Sequence, residues 1–140
     1  MIITGEQRPE YFRFASDILQ EPFEWPHCKC ITTLSNTGEI LGVVVYSQTT
    51  LTNCMMSVAS DGTGRFLSRA ALYEFFALPF IQWGKPRVTT LIRPSNTHSI
   101  NFNRKIGFIQ EGIVRRAYGD EDGILFGMLK EECRFLNYKR

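Results

Sequence analysis

The sequence predicts a mixed α+β domain, one layer of β-sheet with helices packed on its faces. Three observations carry this. Residues 29–60 alternate apolar, β-branched runs with polar turns, as an antiparallel meander of three strands would. Beyond residue 61, stretches with helical spacing of apolar residues alternate with β-branched runs. The chain then closes on two strands around a loop ending in Asp122-Gly123, a hairpin signal. At 140 residues the whole has the length of a single domain.

In chain order, Tyr11, Phe14, Ala15, Ile18 and Leu19 form one apolar stripe, predicting a helix over Glu10–Leu19 with Pro9 in its first turn. Glu21-Pro22-Phe23-Glu24-Trp25-Pro26 cannot continue it, because two prolines sit four apart; it is an aromatic loop over a core or along a cleft. Strands follow at Lys29–Leu34, Ile40–Ser47 and Cys54–Ser60, separated by Ser35-Asn36-Thr37-Gly38 and by Gln48–Asn53. Asp61–Arg65 is a glycine-rich loop, and Ser68 caps a helix carrying Ala70, Ala71, Leu72, Phe75, Phe76 and Phe80. Pro79 should kink or shorten that helix, and Gly84-Lys85-Pro86 stops it. A strand over Arg87–Arg93, a helix over Thr97–Lys105 ended by Gly107, and strands at Ile109–Ala117 and Ile124–Met128 complete the order. The tail Lys130–Leu136 has room for a helical turn or more.

Sixteen Lys and Arg against fourteen Asp and Glu leave a net charge of +2, which argues against a nucleic-acid coat or a polybasic membrane anchor. Arg115, Arg116, Arg134, Lys139 and Arg140 form the remaining basic set, without interleaved aromatics. No apolar run approaches the roughly 20 residues that span a bilayer, and Met1–Arg8 is not built as a secretory signal, so a cytoplasmic protein is expected. Cys28, Cys30, Cys54 and Cys133 are then reduced thiols. His27-Cys28-Lys29-Cys30 lacks the second ligand pair of a structural zinc site, and no metal is expected; on a strand Cys28 and Cys30 share a face.

The segment Asn96-Thr-His-Ser99-Ile-Asn-Phe102-Asn103-Arg-Lys-Ile106-Gly107-Phe108, followed by Gln110-Glu111-Gly112 and Arg115, resembles the C-terminal motif of the GCN5-related N-acetyltransferases, particularly ribosomal-protein acetyltransferase-like members. Gly127-Met128-Leu129-Lys130-Glu131-Glu132 looks like that family's final strand, and Pro79-Phe80 with the Glu132–Arg134 ending is similar to small bacteriophage-encoded members. The resemblance covers residues 54–132 and extends to the N-terminal third by element order. It implies a mixed central sheet of about six to seven strands, splayed at a cleft between Cys54–Ser60 and Val88–Arg93. It also implies acetyl-CoA as cosubstrate, transfer of its acetyl group to a primary amine of a protein, peptide or small molecule, and a monomer or homodimer.

By that resemblance the pantetheine arm lies along the first of these strands, against Val58 and Ala59, and the diphosphate sits where the next helix begins. Gly64, Arg65, Phe66, Leu67, Ser68 and Arg69 occupy the phosphate-loop position, though the family's two later glycines are missing; Arg65, Arg69 and Ser68 would contact phosphate. Asn96, Ser99, Phe102 and Asn103 complete the cofactor set. Asn103 stands where many relatives carry an acidic tyrosine, and an amide cannot supply that proton. No carboxylate or histidine lies on Cys54–Ser60, so the catalytic base is unassigned; Glu24, His27 and Ser57 are the candidates. A Val58 backbone N–H is the expected oxyanion donor. Phe23, Trp25, Tyr46 and Tyr118 could wall the acceptor side, with Asp120, Glu121 and Asp122 a solvated acidic loop. The missing base and tyrosine leave a second reading, a CoA-binding module without turnover.

Overall fold

The computed structural model describes residues 1–137. Seven strands form one sheet: β1 (Ile2–Thr4), β2 (Lys29–Leu34), β3 (Ile40–Ser47), β4 (Met55–Ser60), β5 (Arg87–Ile92), β6 (Ile109–Val114) and β7 (Gly123–Leu129). Three helices accompany them: α1 (Pro9–Leu19), α2 (Arg69–Ala77) and α3 (Thr97–Ile106). The sheet order is β1-β2-β3-β4-β5-β7-β6, antiparallel everywhere except between β4 and β5. The expected mixed sheet with helices on both faces is present.

β3 is buried along nearly its whole length because both its faces are covered. Val43 and Val45 pack with Tyr11, Phe12, Ala15, Cys28, Cys30 and Ala59 beneath α1. Val44 and Tyr46 face the larger core with Phe76, Phe80, Val88, Phe126 and Met128, under α2 and α3. Of the expected stripe of α1, Tyr11 and Ala15 are buried and Phe14 and Leu19 pack partly buried against the same core; Phe12 is buried as well. Ile18 is the one member of the stripe that departs: it is 45% exposed and lines the cleft described below.

β1 escapes a reading by periodicity because it is three residues long. Its pairing with β2 is prolonged by a side chain: the Gln7 amide donates to the Cys30 carbonyl and accepts from the Cys30 N–H, both at 2.9 Å. β6 stops at Val114, short of the expected Ala117, because the Ala117 N–H turns back to the Val114 carbonyl at 3.3 Å. The tail folds as two 3-10 turns, Lys130–Glu132 and Arg134–Asn137.

Pro79 acts as expected. After Ala77 the helix widens into a π-turn over Leu78–Gln82, where the Trp83 N–H reaches the Leu78 carbonyl at 3.0 Å. Proline has no N–H to give the carbonyl four residues back, so the Phe75 carbonyl is orphaned in the core. The Tyr46 hydroxyl donates to it at 2.5 Å. Tyr46 is 1% exposed and belongs to the core, which removes it from the acceptor wall.

Tyr46→Phe keeps the ring but strands the Phe75 carbonyl. It should lower the stability measured by urea denaturation by about 1–3 kcal/mol; an unchanged midpoint contradicts this account of the π-turn.

Candidate active site

β4 and β5 touch through one parallel bridge, Met55↔Thr89, where the Thr89 N–H donates to the Cys54 carbonyl at 3.0 Å. Beyond it they diverge. Alternate residues of a strand turn their backbone groups to the same edge. Cys54 therefore sets the edge that Val58 presents to the gap, whereas Ala59 and Ser57 pair with Val43 and Val45 of β3. On the other strand Thr89 and Leu91 share an edge, so the Leu91 carbonyl also faces the gap. Of Val58 and Ala59, only Val58 keeps backbone groups for a ligand; the Ala59 backbone is spent on β3 and its methyl is buried under α1.

The Leu91 carbonyl accepts a hydrogen bond from the Tyr118 hydroxyl at 2.9 Å. Tyr118 comes from the β6–β7 loop and stands where β4 would have continued. That loop is stapled down beside it. Arg93 donates to Asp120 at 3.0 Å and to Glu121 at 3.3 Å, Ser95 donates to Glu121 through N–H and hydroxyl, and the Arg93 guanidinium lies 4.3 Å over the Tyr118 ring. Asp122 accepts from the Arg116 N–H at 2.8 Å. The acidic trio holds this loop together and is not a free ring of charge. Burial pushes the Tyr118 phenol up to about 12, so it stays protonated at neutral pH.

Two neighbouring cavities lie at the splay. The first, about 170 Å³, runs through the gap past Ser57, Val58, Asn96, Ser99 and Asn103. The second, about 520 Å³, opens under the α1–β2 loop past Phe23, His27, Gln48 and Met55. Glu21, Ser57, Leu91 and Tyr118 line both.

Glu21 at this junction is the residue that sequence reasoning missed. Gln20, in a left-handed conformation at φ 57°, ends α1 and turns the next residue into the gap. Ser16 holds the turn, its hydroxyl accepting from the Phe23 N–H at 3.0 Å. Glu21 is half-buried, and among the described residues nothing hydrogen-bonds its carboxylate. Burial raises its carboxyl above the usual glutamate range, against the pull of Arg93. The one available signal was position, an acidic residue directly after the helix and before Pro22.

The other candidates fall in three groups. Ser57, Val58, Asn96, Ser99 and Asn103 come together in the gap. There Asn96 caps α3 through the Ser99 N–H at 3.2 Å, and Asn103, 4% exposed, donates to the Ser99 carbonyl at 2.8 Å. Gly64–Arg69 line neither cavity. Gly62 and Gly64 bend that loop with φ of +86° and +76°. Phe66 leaves it for the core, against Phe75 and the half-buried Phe102, and over Gly42, where any Cβ would meet the ring at 2.7 Å. Leu67 packs on the same core, Ser68 caps α2 through the Ala71 N–H at 3.0 Å, and Arg65 pairs with Asp61 at 3.1 Å. Exposed Arg69 borders a separate recess with Arg134 and Phe135. In the third group, His27 lines the second cavity, while Glu24 and Trp25 line neither and are exposed, with the Lys29 ammonium 3.6 Å over the Trp25 ring. Of the basic set, Arg134 donates to the Lys105 carbonyl at 2.8 Å, and Lys139 and Arg140 lie outside the described residues.

No protein-family model matches the chain, and no curated protein matches it significantly. Solved structures do. A spermidine N-acetyltransferase mutant from Vibrio cholerae superposes with a TM-score of 0.75 at 12% identity, covering 98% of both chains. The ribosomal-protein-S5-alanine acetyltransferase of Vibrio fischeri gives 0.72 at 16% identity over 94% of both chains. The chain has the fold of the GCN5-related N-acetyltransferases. Ard1 from Thermoplasma volcanium shares this acetyltransferase fold, at a TM-score of 0.69 and 20% identity over 91% of this chain and 96% of its own. No helix among the described residues is long and apolar enough to cross a membrane.

Tyr118→Phe leaves the Leu91 carbonyl without its partner at the opened edge of β5. The variant should lose about 1 kcal/mol in urea denaturation; stability equal to the parent would mean that the phenol does not hold the edge.

Proposed function

We propose that residues 1–140 form one acetyltransferase domain that moves the acetyl group of acetyl-CoA to a primary amine. The observation that carries this reading is the single-bridge splay of β4 and β5 with an unpaired carboxylate at its far mouth. The pantetheine arm would enter from the side of α3 and run along the Val58 edge as an added strand does. At the start of α2 the diphosphate would meet the helix's positive end. The exposed Arg65–Asp61 pair there is weak enough for an anion to displace.

Each residue then has a task. An amine arrives as ammonium in the second cavity, and Glu21 accepts one proton from it. The neutral nitrogen forms its bond to the thioester carbonyl carbon while the carbon–sulfur bond breaks. The Val58 N–H faces the carbonyl oxygen as charge gathers on it. The second amine proton ends on the CoA sulfur, passing through water beside Ser57, and Glu21 returns its proton to solvent. Asn103 fills space and braces α3, since its amide nitrogen is held by the Ser99 carbonyl. Proximity in the gap supplies much of the acceleration.

Glu21→Gln should lower kcat/KM for the amine by about 10²–10⁴-fold with acetyl-CoA binding intact. The base works only when ionised, and burial raises its pKa. Parental kcat/KM should therefore rise with pH along a limb above the ordinary glutamate range, and that limb should vanish in the variant. Retention of both rate and limb refutes the assignment of Glu21.

Acetyl-CoA at 100 times its dissociation constant should stabilise the protein by about 2.7 kcal/mol in thermal or chemical unfolding. No stabilisation at millimolar acetyl-CoA would overturn the proposed function itself.

A further inference from the structure

Resting on that reading of the second cavity as the acceptor side, we infer that the acceptor carries one ammonium on an apolar body, and is not a polyamine. Around Glu21 the cavity is lined by Pro22, Phe23, Met55, Leu91 and the ring of Tyr118, with Cys28, His27, Ser47, Gln48 and Ser57 completing it, and Glu21 is the one carboxylate among the lining residues. The nearby acids are already engaged. Asp120 and Glu121 neutralise Arg93, and Asp122 accepts from the Arg116 backbone. Glu24 is exposed and lines neither cavity.

A polyamine that placed one ammonium at Glu21 would lay its next, a few methylenes away, against Phe23 and Met55 or beside His27. A charge moved from water to such a wall without a counter-ion is penalised heavily. A single amine on an aromatic or aliphatic body meets the opposite situation: its charge is paired and its body displaces water from apolar surface. Two sources share this chemistry, a free arylalkylamine and the α-amine of a peptide with an apolar first residue.

At the cavity rim, exposed Gln48 is a neutral amide of the same size and shape as glutamate. It is the position at which a second charge can be added without disturbing the core.

The test measures CoA release from acetyl-CoA with 2-phenylethylamine, with a Phe-Ala-Ala peptide amide and with spermidine, for the parent protein and for Gln48→Glu. The better of the two monoamines should exceed spermidine in kcat/KM by at least about tenfold, and whichever leads identifies the source. Gln48→Glu should raise spermidine turnover and narrow that gap about tenfold. Spermidine equal to or better than both monoamines in the parent overturns the inference and leaves acetyl transfer standing, as does a gap that Gln48→Glu leaves unchanged. CoA release with none of the three overturns both readings.

Discussion

The whole site depends on one shortage of hydrogen bonds. Two antiparallel half-sheets, β1–β4 and β5–β7–β6, are joined at their only parallel seam by the bridge at Met55 and Thr89. A full seam would satisfy the inner edges of β4 and β5 with each other and leave nothing for a ligand. With one bridge, the edge bearing Val58 and the edge bearing Leu91 both need partners. Buried backbone groups rarely go without them. The protein supplies one, the Tyr118 phenol on the Leu91 carbonyl, and leaves the other strand open. The edge at Val58 borders the gap, so an extended molecule laid there would meet unpaired backbone groups.

The open seam has to be kept from closing, and the packing shows how. On the β5 side, Tyr118 is held by a loop whose acids are all used on Arg93, Ser95 and the backbone, so the wedge rests on several bonds of one small cluster. On the β4 side, the following loop is pinned to the sheet by Phe66, seated on Gly42 of β3 with its ring tilted against those of Phe75 and Phe102. The start of α2 is thereby referred to the same strand that carries Tyr46. Tyr46 in turn satisfies the carbonyl that Pro79 orphans at the helix's other end. Both ends of α2 are thus registered on β3, and a group docked at its N-terminus is registered on the seam.

Much of the fold was legible because its information is local. Valine runs, the Asp122-Gly123 hairpin, Ser68 before its helix and the interval from Asn96 to Gly107 each specify an element without knowledge of its neighbours. The cluster Asn96, Ser99 and Asn103 with Val58 could be named in the same way, since one helix and one strand carry it. What failed was information held in a third dimension. β1 is too short to show a period, and a Gln7 side chain completes it. Ile18 fits the helical stripe but lines the cleft, which only the folded chain shows. Tyr46, offered as part of the acceptor wall, belongs to the core, where it answers the proline 33 positions later that removes a donor from the helix above it. Glu21 gave way to Glu24 and His27, since composition cannot show that a left-handed Gln20 points one of three polar neighbours inward.

Glu21 also shows where stability has been yielded to the site. Its folded-state pKa is raised by burial, so the contribution it makes to stability is full when it is protonated, below the unfolded value, and is lost as pH rises through the folded value. At neutral pH the ionised carboxylate is therefore a net burden on the native state, with Arg93 already neutralised by Asp120 and Glu121 and unable to relieve it in full. An ammonium brought alongside removes the burden and gains the pairing in the same contact. The carboxylate that the fold leaves uncompensated is the one that a cationic amine would compensate, and the ionised state that costs the fold most is the state that accepts a proton.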